Sequence, residues 1–300
     1  MPILFALVGA TGVGKSRLSL ELAERFNAEI IGVDSRQIYK GFAIGTAQPP
    51  LRDLVRVKHH QVDFLDPRMA YSAGDFCANV KKLLSENPDQ NYILVGGTGL
   101  YLQSLMLGLP QLPKADEFIR KSLEEDATRL GNRNLYEKAQ SVDPEAMEKV
   151  EVNNIQRIIR ILEVHQLTGR KLSDWQKERV GGIGILPVFW LNRSRENLYA
   201  RIDARVDQMM ADGWLDEIHE LAGTVPLDAP AWQSLGYREL LNAENPSRVN
   251  EVLDEVKRKT RNYAKRQLTW FRWQVKSTEI DLDKCVNPLE CVLDGLDNIK

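Results

Sequence analysis

The chain of 300 residues is 43% apolar with a formal net charge of −2, enough for one large core or a core domain carrying a smaller insert. No apolar run approaches the roughly 18 residues of a membrane span and no basic-then-apolar leader opens the chain, so a cytoplasmic protein without membrane attachment is expected. Cys77, Cys285 and Cys291 are odd in number and scattered, which argues against a disulfide framework or a zinc cluster and predicts reduced thiols.

Ile3 to Val8 is a short, wholly apolar run ending on Gly9, which predicts a buried strand, and residues 15–26 follow as a helix. Between them GATGVGKS matches G-x-x-x-x-G-K-[ST], with the strand before and helix after that this motif requires. The amides of Gly9, Ala10, Thr11, Gly12, Val13 and Gly14 can face one anion, to which the helix N-terminus adds its dipole. Lys15 offers a point charge and Ser16 a hydroxyl for Mg²⁺. The loop is expected to hold a diphosphate or polyphosphate. A second apolar run, AEIIGVDS, ends on Asp34, and a third, NYILVGGTGLY, ends on Gly96-Gly97-Thr98. Short buried strands alternating with helices predict an α/β fold, a P-loop NTPase-like parallel sheet covered by helices. Ligands of such sheets sit beyond the carboxyl ends of the strands, so the loop, Asp34 and Thr98 are expected to converge.

The texture changes near residue 113. From there to about 183 the pattern is one of capped helices, including Pro144 behind an Asp143 cap and a helix running from Asn154 to Gly169, which predicts an all-helical insertion. Residues 1–112 and 184–300 then form the core domain, where GILPVFWLN predicts a further strand and the remainder is read as helical. Within it VKRKTRNYAKRQLTWFRWQV holds seven Lys or Arg and no carboxylate, which fits a polyanion footprint or a solvated helix face. Trp270, Phe271 and Trp273 are expected in the core rather than as base-stacking platforms.

An NTPase normally sets an acid at the end of another strand to organise Mg²⁺ and water, but here the YILV run ends in GGT. A phosphate loop therefore need not mean hydrolysis. Asp34 is open to two readings, a general base or a kinase-like acid for Mg²⁺.

GATGVGKS, VDSRQIYKGFAIGTAQP, HHQVDFLDP with YSAGDF, VGGTGLY, NNIQRIIRILEV, SLGYRE and RNYAKRQLTWFR together, in order over nearly the whole chain, resemble the bacterial tRNA dimethylallyltransferase family, the tRNA isopentenyltransferases. The resemblance implies transfer of a dimethylallyl group from dimethylallyl diphosphate to the exocyclic amine of the adenine just 3′ of the anticodon, in tRNAs reading codons that begin with U. It implies Mg²⁺, no ATP consumption and a monomeric enzyme. That chemistry needs a base for the amine proton and fixed cations for the departing diphosphate. The resemblance assigns the base to Asp34, a hydrogen bond near the reacting centre to Thr98, and diphosphate binding to Arg201, with Arg205 one turn on. For both arginines an ion pair with Asp203 or Asp207 is the plain alternative.

On the acceptor side, the adenine must be swung out of its stack, so contacts to neighbouring nucleotides are needed. The resemblance places these in Asp34, Ser35, Arg36 and Gln37, in Thr98 and Arg120, in Gln156, Arg157, Ile158, Ile159 and Arg160, and in Gln233, Ser234, Leu235, Gly236, Tyr237 and Arg238. Ser16 stands where many members have Thr, and either hydroxyl serves Mg²⁺. With three cysteines, the zinc-finger tail of eukaryotic members is not expected. An adenylate isopentenyltransferase, a small P-loop kinase and a non-enzymatic RNA-binding module are the rival readings; the helical insertion and QRIIR favour tRNA.

Overall fold

The computed structural model describes residues 2–243 and 246–298, in two compact units, Met1–Ser104 with Ile185–Lys300, and Leu105–Gly184. In chain order the first unit begins with β1 (Ile3–Gly9), α1 (Lys15–Arg25), β2 (Ala28–Val33), α2 (Leu51–Arg56), β3 (His59–His60), α3 (Ala73–Glu86), β4 (Asn91–Gly96) and α4 (Gly99–Leu107). The second unit contains β5 (Leu109–Pro110), α5 (Glu117–Leu130), α6 (Asn132–Val142), α7 (Pro144–Met147), α8 (Ile155–Thr168), α9 (Leu172–Lys177) and β6 (Arg179–Val180). The first unit then resumes with β7 (Val188–Asn192), α10 (Arg195–Ala211), α11 (Trp214–Ala222), α12 (Tyr237–Leu241), α13 (Pro246–Gln274), β8 (Thr278–Asp281) and α14 (Pro288–Asp297).

The sheet of the first unit runs β3-β2-β4-β1-β7-β8, and each of its strand pairs is parallel. Its central strands are apolar throughout because helices cover both faces. Register levels the strand ends: Gly96 pairs with both Val8 and Val33, and Gly9 pairs with Leu191. Whatever follows β1, β2, β4 and β7 therefore emerges side by side. The edge strand β8 departs from the helical reading of the C-terminal region. In its TEID sequence only Ile280 is apolar and buried, so it carries no apolar run to mark it.

The cysteine expectation is also corrected, since Cys285 and Cys291 form a disulfide while Cys77 is a free, buried thiol. Asn287 caps α14 with Pro288 at its first turn, and this sharp re-entry folds Cys291 back onto Cys285.

In the second unit the boundary falls at Leu105 rather than 113, because β5 pairs antiparallel with β6 and closes the neck of the insertion. The unit is helical apart from that ribbon. Leu123, Leu135, Met147, Ile158, Ile161 and Leu162 form its core. Asp143 caps α7 through the Ala146 amide at 3.0 Å and also accepts the Ser173 amide at 2.8 Å, which ties α7 to α9. Glu163, fully buried on α8, accepts Arg120 Nε at 2.9 Å and Nη2 at 3.2 Å, Arg160 Nη1 at 2.6 Å and the Asp116 amide at 2.7 Å.

Burial alone would raise the Glu163 pKa, but bonds from Arg120, Arg160 and Asp116 outweigh it and hold the carboxyl below its usual range. The stabilisation is thus present above the unfolded pKa of about 4.3 and lost as pH falls through the lower folded value. Glu163→Gln should cost about 2–3 kcal/mol at neutral pH, less than a fully buried pair because the arginines are partly exposed. The cost should shrink as pH falls below the usual carboxylate range, which denaturant melts of wild type and variant in a series from pH 7 downward would show.

Candidate active site

The turn from β1 into α1 is held open by glycine. Gly12 and Gly14 have φ of 78° and 115°, left-handed values that other residues rarely adopt, and a Cβ on Gly12 would meet Ile202 at 2.9 Å. Lys15 Nζ folds back to donate to the carbonyls of Gly9 at 2.8 Å and Ala10 at 3.0 Å. Ala10 and Val13 are buried, so these early positions brace the loop while Thr11, Gly12, Gly14, Lys15 and Ser16 face a cavity of about 460 Å³. That volume is in the range of small-ligand sites.

Asp34, just past β2, lines the same cavity. Its Oδ1 accepts the amides of Arg36 at 2.8 Å and Gln37 at 3.3 Å, which fixes the carboxylate as the start of a turn. Thr98, just past β4, accepts the Ser35 amide at 3.1 Å and is in hydrogen-bond contact with Tyr263 of α13. The Tyr263 phenol lines the cavity; burial and then Asp34 push its pKa up to about 12, so it remains a neutral donor. The P-loop, Asp34 and Thr98 do lie together at the strand ends.

From the opposite wall α10 contributes Arg201, whose Nε donates to the Gly12 carbonyl at 2.9 Å, and Arg205 one turn later. The ion-pair alternative does not hold for either, because Asp203 is bound by Arg261 at 2.6 and 2.7 Å and Asp207 by Lys257 at 2.6 Å. Burial lowers the pKa of Lys15, Arg201 and Arg205; Asp34 opposes the shift at Lys15 and Arg205, and neighbouring arginines deepen it at all three. Lys15, Arg201 and Arg205 crowded beside Asp34 make a site for an anion of several charges.

Two braces of this site carry no local sequence signal. Arg193, after β7, donates through Nε to the Val13 carbonyl at 3.0 Å and through Nη1 to Asp283 at 2.8 Å. Gln267 of α13 reaches Thr11 and Gly97. Their partners lie between 90 and 256 positions away, so only the fold reveals them.

The model of the IPP transferase family matches residues 37–274. The chain is 40% identical over 280 residues to the tRNA dimethylallyltransferase of Fusobacterium nucleatum, covering 92% of this chain and 91% of the relative. The chain belongs to the IPP transferase family. Among solved members, the tRNA isopentenylpyrophosphate transferase of Bacillus halodurans superposes with a TM-score of 0.71 at 35% identity, covering 100% of this chain and 96% of that one. A eukaryotic dimethylallyltransferase acting on tRNA gives 0.77 at 28% identity, covering 99% and 80%. The family match begins at Gln37, past the P-loop and Asp34, so those two rest on the geometry above.

The remaining predicted contacts divide by exposure. Gln156 and Arg157 are exposed on α8, whereas Ile158 and Ile159 are buried in the helical core, a correction that follows from their place on its inner face. Arg120 and Arg160 are partly exposed and anchored on Glu163. Gln233 and Arg238 are exposed, Leu235 and Ser234 line the cavity, and Gly236 is packed against Trp214. Tyr237 is corrected as well. It is fully buried and donates to Glu217 at 2.6 Å, and burial followed by Glu217 pushes its phenol far up. Glu217 in turn accepts the amides of Ala43, Ile44 and Gly45, fixing the loop whose Gly45, Thr46 and Ala47 wall the cavity. Gln37 spends its side-chain amide on the carbonyls of Thr46 and Ala47 in that loop. Arg36 donates to the Pro230 carbonyl. Of the aromatics on α13, Phe271 is buried as expected, whereas Trp273 is 74% exposed.

The Lys15 pKa of about 8 gives the site a pH dependence. Lys15 is charged below that value and neutral above it, while an alkyl diphosphate is already ionised at neutral pH. Affinity for an alkyl diphosphate should fall about tenfold from pH 7 to pH 9. Calorimetric titration would read the change, and Lys15→Arg should flatten it.

Proposed function

We propose that this chain transfers the dimethylallyl group of dimethylallyl diphosphate to the exocyclic amine of the adenine 3′-adjacent to the anticodon, in tRNAs reading U-initial codons. The observation that carries the proposal is a phosphate loop opposed by Arg201 and Arg205, with the strand-end carboxylate Asp34 in the same cavity. Family membership supplies the substrate class, since the relatives are named for this reaction on tRNA. The reading takes the protein to act as a monomer in the cytoplasm, the compartment of its tRNA substrate. No described helix is long and apolar enough to cross a membrane.

In the reaction the amine nitrogen attacks the first carbon of the dimethylallyl chain, the bond from that carbon to the diphosphate oxygen breaks, and the amine loses a proton. Lys15, Arg201, Arg205 and the loop amides hold the diphosphate as its charge grows, a fixed arrangement that needs no reorganisation during the step. Asp34 takes the proton. Oδ1 is engaged by two amides, which orients the group and leaves Oδ2 for the amine. Thr98 and Tyr263 sit beside it as neutral hydrogen-bonding groups.

The residues fit a Mg²⁺ ion held mainly by diphosphate and water. Ser16 lines the cavity with its hydroxyl uncommitted among the described residues, and no described group of three acidic, His or Cys side chains forms a protein cage. Ser16 would hold the ion, and the ion would neutralise charge on the leaving diphosphate. For the acceptor, the exposed Gln156 and Arg157 and the partly exposed Arg120 and Arg160 of the insertion offer groups to a nucleic acid, as do the exposed Gln233 and Arg238 of the core.

The test is transfer of labelled dimethylallyl from its diphosphate to unmodified tRNA, with Mg²⁺ and no nucleoside triphosphate. Label should map to the adenine beside the anticodon; label only on added AMP, or ATP consumption without transfer, would refute the proposal. Asp34→Asn retains an acceptor for the two amides, so it should lower turnover at least about a hundredfold while leaving tRNA affinity unchanged. Unaltered turnover would remove Asp34 from the base role.

A further inference from the structure

Gln267 is nearly fully buried on α13, between the buried Ala264 and Phe271 that seat this face of the helix in the core. A buried carboxamide must satisfy both of its ends. Its Oε1 accepts the Thr11 amide at 2.9 Å, and its Nε2 donates to the Gly97 carbonyl at 3.0 Å. One side chain thereby spans two loops that leave adjacent strands, the P-loop after β1 and the Gly97-Thr98 turn after β4. Gln267 also lines the cavity.

The approach is close enough to dictate the residue opposite. A Cβ on Gly97 would lie 2.3 Å from Gln267 Nε2 and 3.2 Å from the Gly9 carbonyl oxygen, so glycine is required there for the two loops and the carboxamide to fit. The helix carrying Gln267 is itself fixed to the arginine helix α10 by Arg261 on Asp203 and Lys257 on Asp207. The phosphate loop, the β4 turn and the arginine wall thus share one rigid support.

We propose that Gln267 is a positioning residue of the diphosphate site: by consuming the Thr11 amide and binding the Gly97 carbonyl, it fixes the phosphate loop so that its anion-facing amides begin at Gly12. The assignment rests on the reading of the cavity as a diphosphate site. It acts through the loop and touches no reacting atom. Without Gln267 both backbone groups lose their partner, and the first half of the loop is free to turn its amides away from the ligand.

Calorimetric titration of inorganic diphosphate with Mg²⁺ into the purified chain tests it, beside gel-shift titration of unmodified tRNA and a thermal melt. Gln267→Met keeps volume and removes both bonds; Gly97→Ala displaces the carboxamide while leaving Gln267 in place. Each should weaken diphosphate binding about tenfold, the worth of one hydrogen bond, with tRNA affinity unchanged within twofold. Should either variant fail to fold, the other carries the test. Wild-type protein that binds no diphosphate would overturn the diphosphate reading and this assignment with it. Wild type that binds, with folded variants binding equally well, would overturn the assignment alone. An equal loss for diphosphate and tRNA, with a lowered melting temperature, would also overturn it by making Gln267 a general packing residue.

Discussion

Crowding of positive charge around Asp34 is the constraint on which the first unit depends. Lys15, Arg201 and Arg205 are set near one another, Lys15 and Arg205 partly withdrawn from water and Arg201 more open to it, with Asp34 the carboxylate that relieves Lys15 and Arg205. Such a cluster is unfavourable in the free protein and becomes favourable when a multiply charged anion enters. The surrounding structure is arranged to keep it from collapsing. Asp203 and Asp207, which could neutralise the arginines on their own helix, are turned away and held by α13. Lys15 is tethered to two carbonyls, and Arg193 holds the loop from behind through Asp283. The Ser194 amide, with Arg193 contributing, keeps the Asp283 carboxyl well below its ordinary range, so that tie remains ionised.

The same constraint separates this site from nucleotide hydrolysis. A P-loop enzyme that activates water needs an acid at the end of a neighbouring strand. Here β4 ends in Gly96-Gly97, and a Cβ on Gly96 would lie 2.0 Å from the Val33 carbonyl oxygen. Space that an acid would occupy is filled by the close approach of β2 and β4. The carboxylate appears instead after β2, beside Thr98 and Tyr263, on the wall of the cavity. Position within the sheet, as much as residue type, decides which strand end carries the carboxylate.

What the sequence makes legible follows from how far each interaction reaches. The phosphate loop, the caps at Asp143 and Asn154, and the strand ending on Asp34 are local patterns, and each forms where its pattern indicates. QRIIR is legible as a helix but not as a surface, because Ile158 and Ile159 face inward while Gln156 and Arg157 face out. Gln267 and Arg193 are invisible in sequence since their meaning lies in backbone groups far along the chain. Edge strand β8 has no apolar alternation to betray it. The cysteine reading failed for a different reason: Cys285 and Cys291 are six apart, and counting three thiols hid the turn that joins them.

The helical insertion answers a separate physical problem, that of holding cationic side chains near its surface in fixed positions. A surface arginine on a flexible stem loses rotamer freedom when it grips a phosphate, and this reduces what the contact contributes. In the second unit Glu163 has already ordered two such side chains, engaging Arg120 through two nitrogens and Arg160 through one, while Arg160 also reaches the Pro113 carbonyl at 2.8 Å. The pair retains a net charge of +1 around a buried carboxylate. Its guanidinium planes are held by bonds that use only part of their donors. Order is therefore established during folding, and the buried charge that makes the insertion sensitive to acid is also what holds the two guanidinium groups in place.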